Sequence, residues 1–254
     1  MGVIPMDRVL DRLDRLTAAN DAAGARRHLL YWLEEARIGQ DERAQLTICN
    51  ELMGQRRMAG DAAEAVQYAE EALALLKRLE LEDTVTAATV YVNCGTVYTA
   101  FGRTADAIPL YERAQDIYTR RLEDADTRVG SLYNNMATCL TKAKQYDRAE
   151  RTYNKACETM KQIPGSEPEI AITMLNLADM HREAHGIADA YEQIDDCVQK
   201  AHDLLETEEL TRDANYAQVC GKCAPIFEYY GWFAYAKELR KRSETFYETN
   251  GRSE

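Results

Sequence analysis

The chain has 254 residues, of which 46% are hydrophobic and 29% are charged, and its formal net charge at pH 7 is -12. This acidic balance argues against a nucleic-acid-binding protein, because contacts to phosphate groups require clustered Lys and Arg. No apolar run approaches the roughly 18 residues of a membrane-spanning helix, and residues 1–10 lack the basic and apolar regions of a signal peptide, so we expect a cytoplasmic protein without a membrane partner.

Apolar residues at helical spacing, about three to four residues apart, mark the predicted elements from the N-terminus onward. In 5–38, Leu13 and Ala25 occupy paired positions on two successive helices. In 39–81, Ala65 follows a break at Gly60 and Asp61. Each of these segments is predicted to form a helix, a turn and a second, antiparallel helix.

The segments 82–123 and 124–165 carry the clearest form of this pattern, because the second repeats the first at a shift of 42 residues. Self-similarity at a fixed period is the signature of a stacked repeat array. Short breaks at 102–104 and 144–146 predict the turns inside the two helix pairs. The matched residues are Tyr91 with Tyr133, Asn93 with Asn135, Gly95 with Ala137, Ala107 with Ala149, Tyr111 with Tyr153 and Ala114 with Ala156.

The segments 166–207 and 208–250 are weaker copies, in which Ala178 pairs with Ala190 and Ala224 with Ala236. Ser166 followed by Glu169 predicts a capping box at the start of the fifth pair. Pro225 interrupts the last copy. The final helix is predicted to present a solvated, polar end of the array, formed by Lys237, Arg240, Lys241, Arg242 and Glu244.

The order of small and aromatic residues over each helix pair resembles the tetratricopeptide repeat, in the longer variety found in kinesin light chains and many bacterial proteins. The resemblance implies an all-α fold, a right-handed α-solenoid of about six antiparallel helix pairs. It further implies a single domain over 1–254, in which the first helix of each pair lines a concave inner groove. The predicted pairs span 5–38, 39–81, 82–123, 124–165, 166–207 and 208–250.

A stripe of polar residues beside the core positions of the first helices is the best candidate for a binding site. Asn93, Asn135 and Asn176 hold the same position in three consecutive copies, although Asn favours caps and turns over helix interiors. An Asn amide both donates and accepts hydrogen bonds, and tetratricopeptide arrays that clamp peptides use Asn to hold the peptide backbone. The resemblance thus implies peptide binding by these three residues. Further candidate binding residues in or beside the same stripe are Thr96, Thr138, Asp179, Lys142 and Arg182.

Two other interpretations of the Asn stripe remain open. The repeats share ancestry and so retain an ancestral Asn, or the amides form hydrogen bonds between neighbouring helices. Asn50 and Asn134 lie one residue from the stripe and would extend it, whereas Glu51 and Lys222 occupy its position in the flanking copies. A clamp for a chaperone's terminal carboxylate is disfavoured, because Thr89, Ser131 and Ile172 stand where it needs Lys or Arg.

Metal or catalytic chemistry receives little support. His181 and His185 are four residues apart on one predicted helix, a spacing that suits a metal, but His181 falls at a core position. Cys220 and Cys223 form a single CxxC, also at core positions, and the odd total of seven Cys indicates reduced, buried thiols. With no phosphate-binding loop or nucleophile motif, we predict no enzyme activity, no cofactor and no metal site.

These observations predict a non-enzymatic interaction scaffold that binds an extended peptide or a partner's tail in the concave groove. Two alternatives remain. The chain would be a peptide-sensing regulatory subunit that acts on a separate effector, or a structural scaffold that associates with itself.

Overall fold

The computed structural model describes residues 4–19 and 21–250, apart from the side chains of 247–250. In this part of the chain the regular structure consists of twelve α-helices. They are α1 (Met6–Ala18), α2 (Ala22–Ile38), α3 (Glu42–Met58), α4 (Ala62–Arg78), α5 (Val85–Ala100), α6 (Thr104–Arg121), α7 (Thr127–Lys142), α8 (Tyr146–Met160), α9 (Glu167–His185), α10 (Tyr191–Leu205), α11 (Ala214–Tyr229) and α12 (Phe233–Asn250).

Side-chain caps fix where several of these helices begin. Asp21, Asp41 and Asp61 each accept a hydrogen bond from the backbone N–H three residues later, at the starts of α2, α3 and α4. The Thr84 hydroxyl does the same for α5. Such a cap satisfies one of the backbone donors that a helix N-terminus leaves without an intrahelical partner.

The turns inside the pairs repeat with the period of the sequence. Gly102, between α5 and α6, has a φ of 78°, and Lys144, 42 residues later between α7 and α8, has a φ of 59°. In each turn the next backbone N–H donates back to the last turn of the preceding helix, from Arg103 to Tyr98 over 2.8 Å and from Gln145 to Leu140 over 2.9 Å. This left-handed C-terminal cap reverses the chain and sends the second helix back along the first.

The helices pack as six antiparallel pairs, as predicted, and within each unit successive pairs also contact each other. The chain divides into two compact units, with the boundary between Arg121 and Leu122. The first unit holds α1 to α6 and the second holds α7 to α12. The first helix of one pair contacts that of the next between α3 and α5, between α7 and α9, and between α9 and α11. We call the surface formed by these first helices in either unit its first-helix face.

The small residues predicted to bring paired helices together are fully buried. Ala65, Ala107 and Ala149 have no exposed surface, and Tyr111 and Tyr153 fill the space beside them. Tyr111 lies so close to Gly95 that a Cβ there would approach its ring to 2.8 Å. The alternation of small and aromatic residues therefore acts as a packing rule inside each pair.

Three local predictions were wrong. Ser166 makes no side-chain capping hydrogen bond, because its backbone, with ψ of 6°, is not extended as a cap requires. Pro225 lies inside a continuous α11 and does not interrupt it. Arg242 is not solvated but half-buried, donating to Glu206 over 2.6 Å and to the Tyr216 hydroxyl over 2.7 Å.

Candidate functional site

Asn93 lies on the first-helix face of the first unit, where α5 packs on α3. Its Nδ2 donates a hydrogen bond to Oδ1 of Asn50 over 2.9 Å. Both side chains are half-buried, and Oδ1 of Asn93 has no hydrogen-bond partner within the described residues. The bond orients the Asn93 amide while its acceptor oxygen stays open to a ligand.

The second unit contains the same arrangement between α9 and α7. Nδ2 of Asn176 donates to Oδ1 of Asn134 over 3.1 Å. Each of the two predicted positions is thus bonded to an Asn on the preceding first helix, which confirms the interpretation that these amides join neighbouring helices. Since each amide carries two donor hydrogens and an acceptor oxygen, a bonded pair still offers groups of both kinds.

Asn135 differs from the other two members of the stripe. Its half-buried side chain forms no hydrogen bond with any described residue, although the adjacent Asn134 is bonded to Asn176. Both functional groups of the Asn135 amide are therefore available. A peptide backbone, which presents one N–H and one C=O per residue, matches this pair of groups.

The hydroxyls of Thr96 and Thr138, unlike the amide of Asn135, form hydrogen bonds within the fold. Each hydroxyl donates to the carbonyl oxygen four residues earlier, from Thr96 to Val92 over 2.9 Å and from Thr138 to Asn134 over 3.0 Å. Each also meets a tyrosine hydroxyl of the following helix, Tyr111 at 3.3 Å and Tyr153 at 3.1 Å. Their donors are already used, so these hydroxyls offer a ligand little beyond an acceptor lone pair.

Asp179 and Arg182 form a cluster in the C-terminal half of α9. Arg182 Nε donates to Asp179 over 3.3 Å, and the Tyr230 hydroxyl, at the end of α11, donates to the same carboxylate over 2.8 Å. Burial raises the pKa of Tyr230, so this hydroxyl remains a donor at neutral pH. Lys142 is exposed at the last position of α7. The tyrosine was not among the predicted site residues, because it belongs to a turn and not to a first helix.

A groove of about 530 Å³ opens on the first-helix face of the first unit. Its polar lining includes Asn50, Glu51 and Asn93, and its apolar lining includes Leu13 and Met53. Four helices, α1, α2, α3 and α5, contribute to its walls. The groove joins the bonded Asn pair to apolar surface that would receive a side chain of a bound peptide.

Among the described residues that line this groove, Glu51 is the one with an acidic side chain. Burial raises its pKa above the usual value, a hydrogen bond from Asn50 lowers it, and the carboxylate of Asp14 raises it. The Asn50 contact is long, at 3.4 Å, and Glu51 forms no ion pair with any described residue. The sequence placed Glu51 in the stripe but gave no sign that its charge would be left without a partner.

Of the residues considered for metal binding, three are packed into the core, whereas His185 is exposed at the end of α9. His181 is 9% exposed, and burial lowers its pKa. Cys220 and Cys223 are fully buried, as free thiols. Within the described residues there is no group of three or more His, Cys, Asp or Glu side chains that would hold a metal ion, and no helix there has the length and apolar character to cross a membrane.

Comparison with known proteins gives a consistent result. A family model described as tetratricopeptide repeat matches residues 54–120 and 128–199, more than half of the chain. A sequence search of the curated proteins found no match.

Two solved structures are similar to the chain in fold. Nearly identical repeats from a kinesin light chain sequence of Podosopora anserina share 16% identity and a TM-score of 0.54, over 82% of this chain and 98% of that one. BtubC from P. vanneervenii shares 20% identity and a TM-score of 0.52, over 95% of this chain and 93% of that one. At these identities the likeness extends to the fold alone, and it confirms the predicted α-solenoid of the kinesin-light-chain type.

Proposed function

Because the chain belongs to the tetratricopeptide repeat family, whose members serve as protein-interaction scaffolds, we propose that it is a non-enzymatic scaffold that binds an extended peptide or a partner's tail. Binding takes place on the first-helix faces. The proposal requires no cofactor and no catalytic group. A cytoplasmic location is part of it, supported by seven cysteines that are all free and buried.

The observation that carries the proposal is the state of the Asn amides. Asn93 and Asn176 are oriented by bonds to Asn50 and Asn134, and Asn135 uses neither its donor nor its acceptor in a bond to any described residue. Ordering an amide before the ligand arrives reduces the entropy that binding must offset. The amides would therefore hold a peptide backbone through paired hydrogen bonds, whatever its side chains.

The other predicted residues have smaller roles in this proposal. Thr96 and Thr138 support the first helices, because their hydroxyls are bonded within the fold. Asp179, Arg182 and Lys142 would provide charge nearer the C-terminal ends of α7 and α9. Arg182 and Asp179 already pair with each other, and Lys142 is exposed, so we expect only a small contribution from these charges.

Selection from a displayed library of random 12-residue peptides tests the proposal with the whole chain as bait. Enriched peptides are synthesised, and their binding is measured by calorimetry against scrambled versions with the same composition. We expect saturable binding of the selected sequences and at least a tenfold weaker binding of the scrambled ones, about 1.4 kcal/mol. Failure to enrich any sequence, or equal binding of scrambled peptides, would contradict the proposal.

A further inference from the structure

The groove of the first unit combines a charged group with apolar walls. Glu51 and Asn50 on α3 face it together with Asn93 on α5, and Leu13 and Met58 supply apolar surface. Met58 is 75% exposed, which is unusual for so large an apolar side chain. A ligand side chain placed here would meet hydrocarbon along its length and a carboxylate at Glu51.

Glu51 lacks the cation that several other half-buried glutamates of this protein have, a feature that it shares with Glu167 and Glu169 within the described residues. The Glu64 side chain is 30% exposed, and its carboxylate forms an ion pair with Arg26 at 2.6 Å. The Glu206 side chain is 31% exposed, and its carboxylate forms an ion pair with Arg242 at 2.6 Å. Glu51 has no ion pair within the described residues, and the long bond from Asn50 is its only hydrogen-bonded contact there. Removing a carboxylate from water without a partner is unfavourable.

The charges near Glu51 do not supply that partner. Asp14 on α1 adds negative charge. Arg57, on the same helix as Glu51, lines the groove but forms no ion pair with it. On α5, the polar residues of the lining are the uncharged Asn93 and Thr96. A cation of the ligand would therefore meet the Glu51 carboxylate, which has no described Lys or Arg within ion-pair distance.

We propose that this groove receives a Lys or Arg side chain of the bound peptide, with its cationic head on Glu51 and its aliphatic stem against Leu13 and Met58. Lys and Arg pack their methylene stems on apolar surface while their charged heads reach a polar group. The adjacent Asn93, oriented by Asn50, then accepts a hydrogen bond from the peptide backbone. This inference rests on the proposed function and specifies one side chain of its ligand.

The test uses the peptides selected on the wild-type chain and the variant Glu51→Gln, which keeps the shape of the side chain and removes its charge. Each basic residue of a peptide is replaced in turn by a neutral analogue of similar length, norleucine for Lys and citrulline for Arg. Affinities of the charged and neutral peptides are measured by calorimetry for both proteins. Glu35→Gln provides the matched control, because Glu35 is exposed on α2 and outside the groove.

We expect one basic position whose neutralisation weakens binding to the wild type by about tenfold or more, and to Glu51→Gln by less than about twofold. Glu35→Gln should behave like the wild type. Denaturant unfolding of Glu51→Gln establishes that any loss of affinity does not come from unfolding.

The outcomes separate the inference from the function on which it rests. If peptides bind the wild type and neutralising every basic residue leaves affinity unchanged, or if Glu51→Gln retains the full dependence, the basic-side-chain inference is overturned and the scaffold function stands. If no peptide is enriched at all, both are overturned.

Discussion

Asn93 on α5 donates its side-chain hydrogen to Oδ1 of Asn50 on α3 over 2.9 Å, and the two residues are 43 apart in the chain. Asn176 and Asn134, 42 apart, repeat the bond in the second unit over 3.1 Å. A hydrogen bond between the first helices of successive repeats fixes their register against each other. It also sets the direction of the amide groups that we propose a ligand meets.

The Asn50–Asn93 bond predicts a measurable coupling in stability. Asn50→Ala, Asn93→Ala and the double variant form a cycle, and the coupling should be about 1 kcal/mol, the net value of a neutral hydrogen bond. Urea unfolding measures it, and the cycle of Asn134 and Asn176 should give a similar value. Strict additivity of the single variants would show that the bond contributes nothing to the folded state.

Glu51 predicts a dependence of stability on pH. Its pKa is raised in the folded protein, mainly by burial, so between the unfolded and folded pKa values the folded state binds more protons. The free energy of unfolding therefore falls as pH rises through that interval. The interval begins at the pKa of Glu in the unfolded chain, about 4.3. Glu51→Gln removes the charge and should be more stable than the wild type at pH 7 and equal to it below the interval.

Thermal unfolding at a series of pH values checks this, with Glu35→Gln as the control in which no such difference should develop. The gain is modest, because Glu51 is only half-buried. A Glu51→Gln variant that is less stable than the wild type at pH 7 would mean that the carboxylate has a stabilising partner in the folded protein.

Two glycines inside helices predict opposite effects of substitution by Ala. Around Gly54 on α3 no atom lies within 4 Å of an added Cβ, so Gly54→Ala should stabilise the protein by up to about 1 kcal/mol through helix propensity. At Gly95 the Cβ would meet the fully buried ring of Tyr111 at 2.8 Å, and overpacking costs about 1–3 kcal/mol. Denaturant unfolding should therefore rank Gly54→Ala above the wild type and Gly95→Ala below it.

In the next repeat the equivalent residues are Ala137 and Tyr153, so the same position carries a Cβ there. A Gly95→Ala variant as stable as the wild type would mean that the Tyr111 ring shifts away from the added Cβ without cost.

Burial also predicts that the thiols are unreactive in the folded protein. It raises the pKa of Cys49, Cys94 and Cys197 to about 12, and it raises the pKa of Cys220 and Cys223 as well. Since the thiolate is the reactive form, a disulfide reagent at pH 8 should modify none of the seven cysteines until denaturant is added. Rapid labelling of Cys220 or Cys223 in the native protein, located by mass spectrometry, would contradict the buried positions of the CxxC.

The fold was predictable because the helix pairs repeat, so that Ala107 and Tyr111 at one position explain Ala149 and Tyr153 at the next. The hydrogen-bonding partners on the first-helix face were not predictable from the sequence. Successive residues on a helix are separated by about 100°, so Asn50 and Asn134, one residue from the stripe, point in a different direction. Only the packing of α3 on α5 and of α7 on α9 determines that this direction leads to Asn93 and Asn176.

The ends of the chain were harder to predict for a related reason. Arg242 has the character of a surface residue in the sequence, and its partner Glu206 lies 36 residues away on the preceding pair. The pairing depends on how α12 packs beside the end of α10. Likewise, nothing in the local sequence of Glu51 distinguishes it from a glutamate with an arginine partner, such as Glu64.

Calorimetry of a selected peptide with Asn135→Ala tests the central claim most directly, because Asn135 is the stripe residue whose amide has no partner within the described residues. Asn154→Ala is the matched control, since Asn154 is an exposed Asn on α8 of the same helix pair. We predict that Asn135→Ala weakens binding by about tenfold or more through the loss of hydrogen bonds to the peptide backbone, while Asn154→Ala binds like the wild type. Equal affinity of Asn135→Ala and the wild type would contradict the claim that this face holds a peptide.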